Sequence, residues 1–279
     1  MSPRDHIIDV LIAERAPTLA AGPAWPLLRP LLYGLLDYGK ARRMADGIAP
    51  LAGAQALDFV SRLLDVRVDV AGLERVPRQG RVIAICNHPT GIADGVAVRD
   101  ALQAARPDLV FYANADAARV APGFDDVLIP VEWVESKRTL SRTRITLSRT
   151  RQAMENEQAL VIFPSGRLSR RRAGVLADPP WAGGAFSVAR RYAAPIVPMH
   201  LSGPWSGLFH LFDRFSGELR DITLFHELLN KRGKRFVLVI GHPVQASCLP
   251  ADPTEAALAM KTFVEKTLAR DVGARFSGV

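Results

Sequence analysis

The sequence predicts an α/β protein: a largely parallel mixed sheet of about seven strands flanked by helices, with an N-terminal helical segment in front. Two observations carry this. Short β-type apolar runs recur along the chain, and helix-patterned stretches separate several of them. The chain has 279 residues, 48% hydrophobic and 23% charged, enough for a sizeable core and too apolar for a disordered chain. Two units are expected: an N-terminal helical segment over 1–65 and an α/β domain over 66–279.

In the first unit, Asp5 suits the cap of the helix HIIDVLIAERA. Pro23, Pro26 and Pro30 then break the chain around a short apolar run. Leu31, Leu32, Leu35 and Leu36 share one helical face, and Lys40, Arg42 and Arg43 follow. An apolar stripe with a basic flank fits an interfacial helix; it fits equally a helix packed on its own domain with a solvated basic end.

In the second unit, Val66, Val68 and Val70 alternate with Arg67 and Asp69, as in a half-buried strand. Further strands are expected at Arg81–Cys86, Leu109–Ala113, Val127–Val131, Leu160–Phe163, Ile196–Leu201 and Phe236–Ile240. Helices are expected at Gly95–Ala105, Arg138–Glu157, Ala185–Ala193 and about Thr254–Arg270. In the last of these, Ala257, Met260, Phe263, Val264 and Leu268 lie on one face. Arg138, Arg142 and Arg149 share a stripe of their helix, opposite Leu140, Leu147 and Met154. Such a helix suits anionic lipid, or a packed helix with a solvated face.

Composition narrows the partners. Lys plus Arg number 36 against 28 Asp plus Glu, a net charge of +8, which attracts anionic membranes, nucleic acid or an acidic protein. Two cysteines are too few for a disulfide framework, so a reducing, cytoplasmic setting is expected. The opening MSPRDHIIDVLIAER is charged throughout and reads as no secretory leader. The longest stretch without charge, Tyr192–Phe212, holds Pro195, Pro198, Pro204, Gly203 and Gly207. It reads as a core strand and a loop, not a lipid-exposed helix.

Two segments carry candidate chemistry. In the first, Cys86-Asn87-His88-Pro89-Thr90-Gly91-Ile92-Ala93-Asp94, a histidine leaves a strand and an aspartate follows at a helix start. Ligands of open α/β sheets bind at the carboxyl ends of strands. Histidine accepts a proton near neutral pH, and a carboxylate on its other nitrogen fixes its tautomer. His88 and Asp94 therefore suit a base and its orienter, although Asp94 also suits the cap of the next helix. Cys86 suits a nucleophile less well than a buried strand cysteine. In the second segment, a strand runs through Phe163-Pro164-Ser165-Gly166 into Arg167, Arg170, Arg171 and Arg172. Arginine forks suit phosphate or carboxylate; the alternative is a solvated basic loop. No GxSxG, HExxH, CxxC, GxGxxG or Walker motif is present, and no metal site is expected.

Together NHPTGIADG (87–95), IFPSGRLSR (162–170) and APIVPMHLSG (194–203) resemble the glycerolipid acyltransferase superfamily, in its haemolysin-like bacterial branch. The resemblance implies transfer of a fatty acyl group from an acyl-ACP or acyl-CoA thioester to a lysolipid hydroxyl, with no other cofactor. It implies His88 as general base oriented by Asp94, with Asn87, Thr90, Gly91, Pro164, Ser165, Gly166 and Arg167 binding substrate. The oxyanion would meet N–H groups of the Thr90–Gly91 turn or near Gly166. Arg138, Arg142, Arg149, Arg170 and Arg171 would meet an anionic membrane surface or partner, on its inner face. Three departures stand out. Five residues lie between His88 and Asp94, one more than in the family's commonest form; Ser165 replaces a glutamate; and VLIPVE (127–132) lacks the arginine usual there. Lys137 or Arg138 is a candidate substitute for it, and the acceptor stays open between lysophosphatidate and another lysolipid, including a lyso-aminolipid. A lipid-binding protein without catalysis and a thioesterase are the alternatives; no aromatic platform favours a nucleic-acid binder.

Overall fold

The computed structural model describes residues 5–132, 139–172 and 175–278. Five helices open the chain: α1 (Ile7–Arg15), α2 (Pro17–Ala21), α3 (Trp25–Leu35), α4 (Tyr38–Ile48) and α5 (Gly53–Leu64). The cap of α1 is His6 rather than Asp5; its Nδ1 accepts the Ile8 N–H at 3.1 Å. Pro30 sits inside α3 without ending it.

The elements that follow are β1 (Arg67–Ala71), β2 (Val82–Cys86), α6 (Ile92–Leu102), β3 (Leu109–Asn114), α7 (Asp116–Val120), β4 (Leu128–Val131), α8 (Leu140–Glu155) and β5 (Ala159–Ile162). Then come β6 (Arg170–Arg172), β7 (Val175–Ala177), α9 (Gly184–Tyr192), β8 (Ile196–Ser202), α10 (Gly207–Asp213), α11 (Gly217–Asp221), α12 (Leu224–Leu229), β9 (Arg235–Ile240) and α13 (Pro253–Thr262). A π-helical turn, Phe263–Leu268, extends α13.

The main sheet has seven strands in the order β1-β9-β8-β2-β5-β3-β4. Strands β8, β2, β5, β3 and β4 run parallel, β9 is antiparallel to β8, and β1 is parallel to β9. The mixed sheet is therefore as the sequence predicts. Strand β2 is central and buried throughout, which explains its unbroken apolar run VIAIC.

Alternate residues of β2 face two cores. Val82, Ala84 and Cys86 join a core with α1, α4, α5, α6 and α12. Ile83 and Ile85 face the other, built on α8, α9 and α13. The N-terminal helices thus pack on the sheet face toward which even-numbered residues of β2 point. At the entry ends of the strands, Arg106 is only 1% exposed. Its guanidinium binds the Asp108 carboxylate and the carbonyls of Pro77, Gly80 and Glu157.

Three local features differ from expectation. The arginine run 170–172 is a strand, paired antiparallel with β7, not a loop. Beyond β8, the expected loop contains α10. Helix α6 starts at Ile92 rather than Gly95, which places Asp94 in its first turn. Arg138 and Lys137 lie outside the described residues. Among the described residues, no helix is long and apolar enough to cross a membrane.

Candidate active site

His88 follows the last residue of β2, where the chain must turn out of the sheet. Its Nδ1 lies 2.8 Å from Oδ2 of Asp94. The aspartate is fully buried. It also accepts from the Thr90 N–H at 2.9 Å, the Thr90 hydroxyl at 2.5 Å and the Gly91 N–H at 3.1 Å. A carboxylate only accepts, so Nδ1 of His88 is the donor in this contact. Asp94 makes both contacts: it reaches back to the N-cap amide of α6, and it binds the imidazole. Gly91 has φ 111° and ψ −147°, a conformation essentially confined to glycine. A Cβ there would also meet Leu168 at 3.1 Å.

The His88 ring stacks on Phe163, centroids 4.5 Å apart. Asn87 ties β2 to β8: its Nδ2 donates to the Leu201 carbonyl at 2.8 Å, and its Oδ1 accepts the Leu201 N–H at 2.7 Å. Its side chain is therefore spent on the scaffold. The same holds for the Thr90–Gly91 turn, whose two N–H groups face Asp94 rather than an oxyanion. Burial, reinforced by Asp94 and Asp178, pushes the Cys86 thiol well above its ordinary value, which disfavours the thiolate.

A cavity of about 1220 Å³ opens at His88. Ordinary small-ligand pockets hold about 300–1,000 Å³. Its walls include Leu11, Leu57, Phe111, Phe124, Phe163 and Phe225, an apolar lining drawn from both the N-terminal helices and the sheet. Gly166, Arg167, Arg170 and Arg142 line it too; Asn87, Thr90, Gly91, Pro164, Ser165, Arg149 and Arg171 do not. Pro164 is buried, and its carbonyl accepts the Ala182 N–H at 3.0 Å. Ser165 donates its hydroxyl to the Arg167 carbonyl at 2.8 Å.

The arginines divide by partner. Arg15 binds Asp116, Arg119 binds Glu14 and Asp116, Arg220 binds Asp213 and Asp221, and Arg142 binds Glu132. Arg149 is held by Asp125 and the Leu128 carbonyl. Arg171 lies 5.2 Å over the exposed ring of Trp205. The guanidinium groups of Arg167 and Arg170 have no hydrogen-bond or ion-pair partner among the described residues. They are the cavity's unneutralised cations there.

Some site residues had no signature in the sequence reading. Glu227 lines the cavity and pairs with Lys231 at 3.1 Å, both side chains 2% exposed. Glu227 is on α12, whereas Lys231 lies in the turn after it, so no helical pattern joined the two in the sequence. Asp178, whose carboxylate accepts the His88 N–H, sits in ADPPW, where nothing periodic singles it out.

A His–Asp pair thus stands at a central strand end, beside a largely apolar cavity lined by two arginines without ion-pair partners among the described residues. Residues 67–202 match the family model described as Acyltransferase. The match spans a little under half of the chain and supports an acyl-transferring enzyme. It is similar to a lyso-glycine lipid O-acyltransferase of Phocaeicola vulgatus, 27% identical over 69% of each chain. It is also similar to a lyso-glycine lipid O-acyltransferase of Bacteroides thetaiotaomicron, 25% identical over 69% of this chain and 71% of that one. The 1-acyl-sn-glycerophosphate acyltransferase PlsC of Thermotoga maritima aligns over 95% of both chains at 15% identity, with a TM-score of 0.48.

The Glu227–Lys231 pair yields a stability prediction. Removing one member of a buried pair strands the other charge, at about 3–5 kcal/mol. Lys231→Met should lose that much in urea unfolding, and Lys231→Met with Glu227→Leu should recover most of it. A single-variant loss below about 1 kcal/mol would contradict the pairing.

Proposed function

We propose that this chain moves a fatty acyl group from an acyl thioester to the hydroxyl of a lysolipid, with His88 as general base. The observation that carries this is the His88–Asp94 pair at the wall of the apolar cavity. The acceptor hydroxyl gives its proton to His88 Nε2 as its oxygen bonds to the thioester carbonyl carbon. Asp94 stabilises the imidazolium that forms. When the tetrahedral intermediate collapses, the carbon–sulfur bond breaks and His88 returns the proton to the departing thiolate. The products are an ester and a free thiol, and no acyl-enzyme is needed.

The oxyanion requires donors other than Thr90 and Gly91. The backbone N–H groups of Arg167 and Leu168, on the cavity wall, make no hydrogen bond to the described residues and fill this role. The unpaired Arg167 and Arg170 hold an anionic acceptor headgroup. The relatives' acceptor, a lyso-glycine lipid, belongs to the same broad class of lysolipids; Arg142, already bound to Glu132, is less available for this task. The donor is an acyl carrier protein or coenzyme A thioester, and no metal or further cofactor takes part.

The protein rests on the inner face of a membrane. Leu27 and Leu31 of α3 are 83% and 71% exposed, with Leu28 and Leu35 beside them, and α3 buries no residue of its own. Leu36 is in the core and Leu32 is partly buried against it, so the exposed ridge differs from the stripe read in sequence. A further apolar group, Leu140, Ile145 and Leu147, stands exposed on α8 among its arginines. Leucines with nearby cations suit the boundary of an anionic bilayer.

Purified protein, a labelled acyl thioester and a panel of lysolipids test the reading. The wild type should yield acylated lipid, and His88→Ala should lose roughly 10²–10⁴ in rate. His88→Ala at the wild-type rate would reject this mechanism. Fatty acid release without any lysolipid would point to a thioesterase, and vesicle binding without turnover to a non-catalytic protein. In co-sedimentation with phosphatidylglycerol vesicles, the triple variant Leu27→Ser, Leu31→Ser, Leu35→Ser should bind markedly less than wild type. Equal binding would remove α3 as the contact.

A further inference from the structure

His88 is gripped by its backbone as well as by its ring. Its N–H donates to both carboxylate oxygens of Asp178, at 3.1 and 3.2 Å. Its carbonyl accepts the N–H of Ser169 at 2.8 Å. Ser169 closes the circuit by donating its hydroxyl to Oδ1 of Asp178 at 2.5 Å, and Trp181 donates its indole N–H to Oδ2 at 2.8 Å. Residues 169 and 178 flank the β6–β7 hairpin, so one clamp at its base holds the histidine and the strand that begins at Arg170.

Asp178 is 6% exposed and lies outside the cavity lining, so it does not reach the reacting atoms. Burial raises its carboxyl above the ordinary value, while the bonds from Ser169, Trp181 and the His88 amide oppose that shift. A buried carboxylate is tolerated only when its oxygens are satisfied, and here every contact is a donor. Its own N–H donates to Glu265 at 2.8 Å. Glu265 lies in the π-helical turn and pairs with Lys261. Single π-turns are frequent at functional sites.

We propose that Asp178 is a positioning residue for the transfer reaction: it fixes the backbone of His88, and through it the aim of the imidazole between Asp94 and the acceptor hydroxyl. The inference rests on the acyltransferase reading above. Asparagine is not a conservative replacement. Whichever way its amide is turned, an NH2 group faces a donor that Asp178 now accepts.

The test is steady-state kinetics of Asp178→Asn on the acceptor that the lysolipid panel identifies, at a temperature where all variants are folded. Arg106→Lys is the stability control, because Arg106 stitches the opposite ends of the strands. Asp178→Asn should lower kcat about 10²-fold, as expected for a misplaced reacting group, with the acceptor KM nearly unchanged. Arg106→Lys should lose stability with kcat unchanged. If Asp178→Asn does not fold, Ser169→Ala is read instead and should lower kcat about tenfold at constant KM. A wild-type kcat in the folded Asp178 variant, or in Ser169→Ala when that replaces it, overturns the proposal. So does a loss that lies wholly in KM. His88→Ala in the same assay separates the two levels. Its full activity would sink the general-base reading itself, whereas an inactive His88→Ala beside a fully active Asp178→Asn would sink only the positioning role.

Discussion

The site depends on one buried carboxylate. Asp94 is wholly removed from solvent and receives four hydrogen bonds from three residues: one from the His88 ring, two from Thr90 and one from Gly91. A charge in that position is tolerable only with such a set of donors. The same bonds that satisfy it shape the turn, begin α6 and set the histidine tautomer. Loss of any one of these features disturbs the others, because they share two oxygen atoms.

The fold delivers that turn to a useful place. Strand β2 lies between β8 and β5, so its end is flanked by Leu201 on one side and by the Phe163–Gly166 loop on the other. Asn87 locks the first junction through the Leu201 backbone, and the stacked ring of Phe163 supports the imidazole at the second. The N-terminal helices complete the cavity wall with Leu11 and Leu57. They belong to the same core as the sheet, which is how a largely apolar cavity can open directly at a polar pair.

Much of this was legible in the sequence. The strand runs and the order of elements follow from apolar periodicity, and the His88 and Asp94 spacing foretold the pair, because both lie on one short turn after a buried strand. Local signals could not show how Thr90, Gly91 and Asn87 spend their polar groups. Those choices depend on Asp94 and on Leu201, the latter 114 residues away in sequence. The Asp178 clamp has the same character, reaching 90 residues back to His88. The β6–β7 hairpin was hidden because an arginine run has no strand signature of its own. Pairing with Val175–Ala177 makes it one. Helices α10 to α12 were obscured by the glycines and prolines at the start of their segment.

The central claim is that Asp94 holds His88 with its proton on Nδ1 and leaves Nε2 to take the proton of the acceptor. Nitrogen-15 NMR of the histidine-labelled protein at neutral pH reads this directly. The account predicts that the His88 ring is in the Nδ1–H tautomer in the wild type and loses that preference in Asp94→Asn. A wild-type ring protonated on Nε2, or a tautomer indifferent to the substitution, would contradict it.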